Sequence, residues 1–592
     1  MKLKVMLIIL FVCVTQLYPQ QNNPEITLEE LSEHVFYLAS EELEGRKPGT
    51  EGGMKAAKYI KDNLKGSGLS PLYENGFQYF DVLASIEYGT NNKLSFNNFE
   101  GELSKNFAPL AFSKDTSITA AAIFVGYGFD FEDDSLSWHS YDGIDVTDKW
   151  AVVFRGSPDD EGHNSPYTMH SSLRQKTLKA RDKGAAGVIF ISGNEFDETD
   201  ELIPITHEKA PTHIGLPVVH VKRNIIDKLL EDYEVTTELL EKQLLETNAP
   251  NSFELEVPIS ISTDVERLQE KTQNVEFMIE GSDPILKDEY IVIGAHYDHL
   301  GYGGSGSGSR RPDTNAVHYG ADDNASGVAS VLEVAEKLYA NRSSLKRSVL
   351  VYLFGAEEMG LLGSKYLVNN PNIELSKMKH MINLDMVGRL GEDKGLTVGG
   401  TGTALGIEDI LNRLSEGHSL SIKSSPEGYG PSDHASFYSK DVPVLFFFTG
   451  IHEDYHTPAD VPEKLNYDGM KSINDMVYDL IVELANLDEA LAYQEAGPKT
   501  RETSRRRFKV TLGIMPDVSG SGVKGLTADA VMEGRPADLA GMKKGDVIVA
   551  MEGKPVNDIY EYMSRLSEFK PGQRISVDVM RDGEKVVLIV DL

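Results

Sequence analysis

The chain has 592 residues, of which 40% are hydrophobic and 25% are charged. This length exceeds what a single hydrophobic core usually supports, so we expect roughly three or four domains. The formal net charge of −34 argues against nucleic acid or an anionic membrane surface as a partner, because both repel an acidic protein.

The first twenty residues have the pattern of a secretory signal peptide. Lys2 and Lys4 precede an apolar run over residues 5–14, which is about half of the ~20 residues that a membrane-spanning helix needs. No later apolar run is long enough either. We therefore expect residues 1–20 to be a cleaved signal peptide, export to the periplasm or the extracellular medium, and no stable membrane span.

Cys13 is the only cysteine of the chain. A lipoprotein would carry its lipid there, but Leu10-Phe11-Val12 is a poor lipobox, so this alternative is disfavoured. Removal of the signal peptide leaves no cysteine, which excludes disulfides, cysteine nucleophiles and thiolate zinc sites. Any metal ion must then be held by histidine and carboxylate side chains.

The next part of the chain changes from helical to β periodicity. Residues 25–80 indicate two helices around a turn, over Leu28–Leu38 and Gly53–Leu64. Residues from about 115 to 262 contain short β runs with one helical stretch, Leu173–Lys183.

From about residue 274 to 490, apolar strands alternate with amphipathic helices. This alternation is typical of an α/β domain built on a mostly parallel sheet. Residues 495–507 are polar and basic, as in a linker, and the last ~85 residues are again rich in β runs and turn signals.

Four predicted strands of the α/β segment lead into side chains that bind metals. The strands, each with the residues that follow it, are Tyr290–Gly294 with His296, Ser348–Phe354 with Glu357 and Glu358, His380–Leu384 with Asp385, and Pro443–Phe448 with His456. Asp323 opens a helix whose apolar residues recur with a helical period. Open parallel sheets bind ligands beyond the carboxyl ends of their strands, so we expect these side chains to meet there.

These residue types fit a pair of zinc ions. Zinc binds imidazole nitrogen and carboxylate oxygen, and one carboxylate can bridge two ions that lie ~3.5–4 Å apart. We assign His296 and Asp385 to one ion and Glu358 and His456 to the other, with Asp323 and a water molecule between them. Unrelated surface acids are the plain alternative, which four coincident strand ends disfavour.

Three further side chains are expected to take part in the reaction. Glu357 neighbours a ligand and is free to act as a general base toward the water molecule. Tyr455 is a candidate donor to the tetrahedral oxyanion. Asp298 is expected to accept the second imidazole N–H of His296 and so to fix its tautomer. The remaining histidines near these segments are expected to be structural: His299, His318, His434 and His452.

Five motifs contain these residues: His296-x-Asp298, Asp323-Asn324-x-Ser326-Gly327, Gly355-Ala356-Glu357-Glu358-x-Gly360, Asn383-Leu384-Asp385-Met386 and Tyr455-His456-Thr457. In this order they resemble the motifs of the zinc aminopeptidases of metallopeptidase family 28, over about 25–105 and 270–490. The resemblance implies a zinc-aminopeptidase (phosphorylase/hydrolase-like) fold with a mixed, mostly parallel sheet flanked by helices. It also implies two zinc ions, Asp323 as the bridge, Glu357 as the base and a cis peptide bond before Asn324. The Gly/Ser-rich loop between Gly301 and Gly320 departs from the compact family members.

Two other segments resemble accessory domains. Residues of about 110–262, with Gly126-Tyr127-Gly128, resemble a protease-associated (PA) domain, which would shape the substrate cleft. Residues of about 507–592, with Leu512-Gly513-Ile514-Met515, resemble a PDZ domain, which holds peptide C-termini on an added strand. The expected domains are a signal peptide (1–20), a zinc peptidase domain (21–110 and 265–495), a PA domain (111–264), a linker (496–506) and a PDZ domain (507–592).

The sequence therefore predicts an exported two-zinc metallopeptidase that hydrolyses N-terminal amino acids from peptides. A carboxypeptidase or dipeptidase remains open, because the same five ligands would serve it. A non-catalytic protein that binds peptides through its PA and PDZ domains is disfavoured by the complete ligand set and by Glu357.

Overall fold

The computed structural model describes residues 25–592 of the chain. Excepted from this range are residues 74, 134–135, 160–164, 166, 168–169, 206–212, 305, 393–394, 498–509, 517–524, 532–534, 557–561, 563–564, 567–568 and 582. The predicted signal peptide at residues 1–20 and most of the predicted linker lie outside the described residues. No described helix combines the length and the hydropathy that are needed to cross a membrane.

Two helices begin the described chain, α1 at Leu28–Leu38 and α2 at Glu51–Gly66. Each follows a threonine, Thr27 or Thr50, whose hydroxyl oxygen accepts a hydrogen bond from a backbone N–H of the first turn. The predicted bounds of α1 are confirmed, whereas α2 begins before the predicted Gly53 because Thr50 caps it. Two strands follow: β1 Ser70–Pro71 and β2 Phe77–Tyr88.

An inserted domain is built on an eight-stranded sheet with the order β4-β3-β12-β6-β9-β10-β11-β5, beside a separate β7-β8 hairpin. Its elements are β3 Lys93–Phe96, β4 Phe99–Glu100, β5 Phe107–Pro109, β6 Thr116–Phe124, β7 Asp130–Asp133, β8 Leu136–His139, β9 Trp150–Phe154, α3 Leu173–Asp182, β10 Gly187–Ile191, β11 Val218–Val221, α4 Arg223–Leu230, α5 Thr237–Thr247 and β12 Phe253–Thr263. The parallel strands β9, β10 and β11 are buried along their whole length. This burial is expected of strands that helices cover on both faces of the sheet.

The first boundary of the inserted domain differs from the prediction. Residues up to 110 were expected to belong to the α/β domain, yet β3, β4 and β5 pair within the sheet of the inserted domain. The inserted domain therefore begins near Lys93. Runs of two to four strand residues carry little periodicity of their own, and their pairing with the distant β11 and β12 decides their place.

The α/β domain contains one mixed sheet with the order β1-β13-β15-β14-β16-β19-β17-β18, and β2 pairs with β13 outside this path. Its further elements are β13 Val265–Ile279, β14 Tyr290–His296, α6 Gly327–Ala340, β15 Ser348–Phe354, α7 Leu362–Asn369, β16 Met378–Leu384, β17 Gly395–Gly399, α8 Ile407–Gly417, β18 Ser421–Ser425, α9 His434–Tyr438, β19 Val444–Phe448 and α10 Tyr467–Asn486.

The four central strands β15, β14, β16 and β19 are parallel neighbours, and antiparallel pairs flank them on both sides. The predicted α/β class with a mixed sheet flanked by helices is thus confirmed. Because the central strands are parallel, their carboxyl ends meet at one edge of the sheet.

A terminal domain follows, with a six-stranded sheet in which every pair is antiparallel. Its elements are β20 Ile514–Pro516, β21 Leu526–Val531, α11 Pro536–Leu539, β22 Val547–Met551, β23 Lys554–Pro555, β24 Arg574–Arg581 and β25 Glu584–Asp591. A separate apolar core that includes Leu512, Ile548 and Val577 shows that this domain is a packing unit of its own.

Candidate metal centre

The carboxyl edge of the central strands collects the predicted ligands. His296 is the last residue of β14, which extends past the predicted Gly294 because His296 still pairs with Phe354 of β15. Glu358 lies in the turn after β15, and Asp385 directly follows β16. The sheet itself therefore determines the positions of these three ligands.

Asp323 lies at the middle of the cluster. Its Oδ1 atom is 3.3 Å from His296 Nε2, and its Oδ2 atom is 3.1 Å from His456 Nε2. Asp385 Oδ1 lies 3.4 Å from His296 Nε2, and Glu358 Oε2 lies 3.1 Å from His456 Nε2. The structure thus brings all five predicted ligands together, in two groups that share one carboxylate.

The donor atoms suit metal ions. His296, Asp323 and Asp385 present one nitrogen and two carboxylate oxygens that all lie within 4.8 Å of one another. The Oδ2 atom of Asp323 and the Nε2 atom of His456 are buried and have no hydrogen-bond partner among the described residues. Buried polar atoms without partners are costly, and a coordinated cation would satisfy them. Imidazole nitrogen with carboxylate oxygen is a set that zinc accepts.

Backbone carbonyls orient both imidazoles. The Nδ1 atom of His296 is 3.2 Å from the carbonyl oxygen of Asp298, and that of His456 is 3.0 Å from the carbonyl oxygen of Gly308. A carbonyl oxygen only accepts, so each Nδ1 carries a proton, and Nε2 is the nitrogen of each ring that is left to bind a metal. The Asp298 carboxylate was expected to hold His296, but its Oδ1 atom is 3.9 Å away. The main chain of Asp298 makes this contact instead.

The Asp298 carboxylate bonds to the turn after β15. Its Oδ1 and Oδ2 atoms accept hydrogen bonds from the backbone N–H groups of Glu357 and Glu358, at 2.9 and 3.3 Å. Burial raises the pKa of Asp298 to about 7. Asp298 therefore supports the two glutamates by anchoring their backbone.

Glu357 and Glu358 differ in their surroundings. Burial raises the pKa of Glu357 well above its ordinary value, and the nearby Glu358 and Asp433 carboxylates add to this. Burial also opposes ionisation of Glu358, but His456 and a hydrogen bond from His299 keep its pKa below the ordinary value. One glutamate is thus kept as an anion, and its neighbour holds a proton readily.

His299 belongs to the centre, although its sequence position was expected to be structural. Its Nδ1 atom lies 2.8 Å from Glu358 Oε1, and His299, Asp323 and Glu358 form a second group of atoms close enough to hold an ion. The spacing His296-x-Asp298-His299 is the only sequence signal for this contact. Two other histidines lie near other groups: His318 is hydrogen-bonded to Ser309 and Ala316, and His452 Nε2 lies 3.2 Å from Asp322 Oδ2.

Two buried groups hold the loops that carry the ligands. Arg46 donates hydrogen bonds to four backbone carbonyls, those of Tyr297, Leu38, Tyr319 and Gly320. Asp460 Oδ2 accepts from the backbone N–H groups of Asp322 and Asp323, at 2.9 and 3.1 Å. The Asp323–Asn324 peptide bond is cis, as the family resemblance implied. Neither Arg46 nor Asp460 was predicted from the sequence.

Tyr455 adjoins the centre together with an apolar cluster. Its ring stacks on the His456 ring with the centroids 3.8 Å apart. The cluster around it comprises Met386, Phe446, Phe448 and Ile451. Burial and the carboxylates of the centre raise the pKa of Tyr455 well above its ordinary value, so its phenol stays protonated. His434 stacks on Phe446 with the ring centroids 4.5 Å apart, which places it beside the same cluster.

Family models match three parts of the chain. The model of peptidase family M28 matches residues 274–481, the PA domain model matches residues 107–229 and the PDZ domain model matches residues 510–592. The three resemblances derived from the sequence are confirmed by these matches.

Several known proteins are similar to the chain. Aminopeptidase YwaD of Bacillus subtilis (strain 168) is 25% identical over 335 residues, which cover 55% of this chain and 61% of that protein. Leupeptin-inactivating enzyme 1 of Streptomyces exfoliatus is 28% identical over 312 residues, 48% of this chain and 64% of that protein. The chain thus spans less than two thirds of the length of either relative. Among solved structures, an aminopeptidase from Aneurinibacillus sp. strain AM-1 is 21% identical with a TM-score of 0.46, over 81% of this chain and 98% of that one.

Proposed function

We propose that the chain is a zinc-dependent aminopeptidase that removes N-terminal residues from peptides, on the premise that residues 274–481 match the model of peptidase family M28. The position of Asp323 supports the proposal most directly. Its two carboxylate oxygens face different histidines, at 3.3 Å from His296 Nε2 and 3.1 Å from His456 Nε2. A carboxylate placed in this way can be shared by two adjacent cations.

In the proposal, two zinc ions would be held by five side chains. His296 and Asp385 would serve one ion, Glu358 and His456 the other, and Asp323 both. The bound ions would polarise the scissile carbonyl group and make water a better nucleophile at neutral pH. His299 would keep Glu358 in place through their hydrogen bond.

Two residues would move or stabilise charge. Glu357 would accept the proton that the attacking water molecule loses and deliver it to the leaving amine. The raised pKa of its buried carboxyl group suits it to hold that proton between the two transfers. The Tyr455 hydroxyl would donate a hydrogen bond to the carbonyl oxygen as that oxygen gains negative charge.

The charge and polarity around the centre favour the N-terminal end of a peptide substrate. The Asp385 carboxylate lies close enough to Glu357 and Asp433 to help raise the pKa of both, and such a surplus of carboxylates attracts a positively charged amino group. The apolar cluster that includes Met386 and Phe448 adjoins these carboxylates. We therefore propose that the enzyme prefers apolar N-terminal residues such as leucine.

We also propose functions for the PA domain, the PDZ domain and the N-terminal segment. The PA domain would border the substrate cleft, and the PDZ domain would hold peptides by their C-termini. The apolar residues 5–14 support export with removal of residues 1–20. N-terminal sequencing of the protein secreted by its host tests the export proposal, and an intact Met1 in the exported protein would contradict it.

Leucine p-nitroanilide and its N-acetyl derivative test the proposed activity. We expect hydrolysis of the first substrate only, loss of this activity with 1,10-phenanthroline and recovery with added Zn²⁺. The Glu357→Gln variant serves as the inactive control for contaminating peptidases. Hydrolysis of N-blocked peptides alone would favour the carboxypeptidase alternative. No turnover by the zinc-loaded protein on either kind of substrate would favour the non-catalytic alternative.

A further inference from the structure

The glycine-rich loop, residues 301–320, contacts the metal centre directly. The His456 Nδ1–H group donates to the carbonyl oxygen of Gly308 at 3.0 Å, and the backbone N–H of Arg310 donates to the carbonyl oxygen of His456 at 3.0 Å. Ser309 is bonded through its hydroxyl to His318, at 2.8 Å. These contacts hold residues 308–310 of the loop against a ligand of the centre.

Arg310 is placed beside Tyr455 by this attachment. Its guanidinium carbon lies 4.8 Å from the centroid of the Tyr455 ring, and that ring stacks on His456. A cation over an aromatic face is favourable, so the guanidinium has a defined position. Arg310 therefore contacts the aromatic ring that stacks on a proposed metal ligand.

The Arg310 guanidinium has unused hydrogen-bonding capacity. Its Nη1 atom is buried and has no hydrogen-bond partner among the described residues. Burial lowers the pKa of Arg310, and the neighbouring Tyr455 opposes this. Such an unpartnered atom is unusual in a chain with 92 acidic residues and only 58 lysines and arginines. Because this partly buried arginine has no acid partner in the described part of the chain and lies beside the metal centre, we infer that its partner comes from outside the chain.

The shape of the Arg310 guanidinium favours a carboxylate as its partner. A guanidinium presents a planar fork of N–H donors that matches a carboxylate. In a dipeptide bound at the centre, the C-terminal carboxylate lies about one residue, roughly 3.5 Å, beyond the scissile bond. On the basis of the proposed aminopeptidase function, we propose that Arg310 binds a substrate carboxylate on the leaving-group side. The chain would thus favour peptides that present a carboxylate there.

A carboxylate at that place has two sources. It is either the C-terminus of a very short peptide or the side chain of an acidic residue that follows the scissile bond. Leu-Gly, Leu-Gly amide and Leu-Asp amide separate these sources, because they carry respectively a terminal carboxylate, no carboxylate and only a side-chain carboxylate. Leucine p-nitroanilide, which has no carboxylate, reports the proposed function itself.

The test compares kcat/KM for these substrates in the wild type, Arg310→Gln, Arg310→Lys and Arg311→Gln. Arg311 is the matched control, since it is the neighbouring arginine of the same loop and is exposed. We expect the wild type and Arg311→Gln to prefer Leu-Gly over Leu-Gly amide by about tenfold or more, the range of one charge-assisted hydrogen bond. The ratio of kcat/KM for Leu-Gly to kcat/KM for Leu-Gly amide should fall close to one in Arg310→Gln. In Arg310→Lys it should lie between one and the wild-type ratio. A preference for Leu-Asp amide as well would assign the acidic side chain as a second source.

Two results would overturn the inference. One is a wild type that hydrolyses leucine p-nitroanilide but shows equal kcat/KM for Leu-Gly, Leu-Gly amide and Leu-Asp amide. The other is an Arg310→Gln variant that loses the same factor on both peptides, because Arg310 would then support the centre as a whole. Failure of the wild type to hydrolyse leucine p-nitroanilide would instead refute the proposed function.

Discussion

Asp298 and Glu357 are joined by a hydrogen bond in which the Glu357 backbone N–H donates to Asp298 Oδ1 at 2.9 Å. The second oxygen of Asp298 accepts from the N–H of Glu358. One buried carboxylate therefore connects the segment after β14 to the turn after β15. The positions of the proposed base and of one proposed ligand depend on this connection.

Asp298→Asn should lower catalysis without unfolding the protein. An amide has one acceptor oxygen, so one of the two backbone N–H groups loses its partner and the turn shifts. We expect kcat for leucine p-nitroanilide to fall about 10–100-fold. The control is Asp313→Asn, which changes an exposed acid of the glycine-rich loop. An unchanged kcat in Asp298→Asn would show that the turn keeps its position without this carboxylate.

Glu357→Gln should separate metal binding from turnover. The amide keeps the size of the side chain but cannot accept the proton of the attacking water, so kcat should fall about 10²–10⁴-fold while the zinc content stays at the wild-type level. Glu453→Gln, which changes an exposed glutamate on the same edge, should behave as the wild type. A near-normal rate in Glu357→Gln would remove this residue from the role of base.

Arg46→Met should destabilise the protein, because four backbone carbonyls lose their common donor. We expect the free energy of unfolding in urea to decrease by about 3 kcal/mol, the range for unpaired buried polar groups. Lys47→Met is the control, since Lys47 is the exposed neighbour. Equal urea midpoints for the two variants would mean that other contacts hold these loops.

Glu276 should make stability depend on pH. It lies on β13, is 1% exposed, and has one carboxylate oxygen without a hydrogen-bond partner among the described residues. Burial raises its pKa in the folded protein to about 8, whereas the unfolded chain ionises near its ordinary value of about 4.3. Between these two values only the folded state keeps the proton. The stabilising contribution is therefore complete below the unfolded pKa and decreases toward pH 8, by up to about 1.4 kcal/mol per pH unit.

The melting temperatures of Glu276→Gln and the wild type at pH 5 and pH 8 check this prediction. The amide cannot ionise, so the variant should gain on the wild type as the pH rises. Glu270→Gln, on the same strand but exposed, should show no such gain. A constant difference between Glu276→Gln and the wild type across this range would contradict the prediction.

The sequence predicted the metal ligands better than the contacts that hold them in place. His296, Asp385 and Glu358 could be located because each follows an apolar strand, and a parallel sheet brings such strand ends to one edge. The central strands were predicted almost to the residue for the same reason, since buried parallel strands are continuous apolar runs.

Contacts between distant segments could not be predicted. Arg46 and Tyr297 are 251 residues apart in the chain, and nothing in either segment indicates the hydrogen bond between them. The approach of His299 to Glu358 likewise depends on how two loops pack. The sequence placed the boundary of the inserted domain at residue 110, whereas it lies near Lys93, because short strands are defined by their partners rather than by their own pattern.

Zinc titration of the metal-free protein tests the central claim most directly. Activity toward leucine p-nitroanilide is measured as Zn²⁺ is added to the wild type and to Asp323→Ala, with bound zinc determined by elemental analysis. We expect wild-type activity to reach its plateau at two bound ions per chain, and Asp323→Ala to bind zinc weakly and stay inactive. Full activity with no zinc or with one ion per chain, or an active Asp323→Ala, would contradict the account.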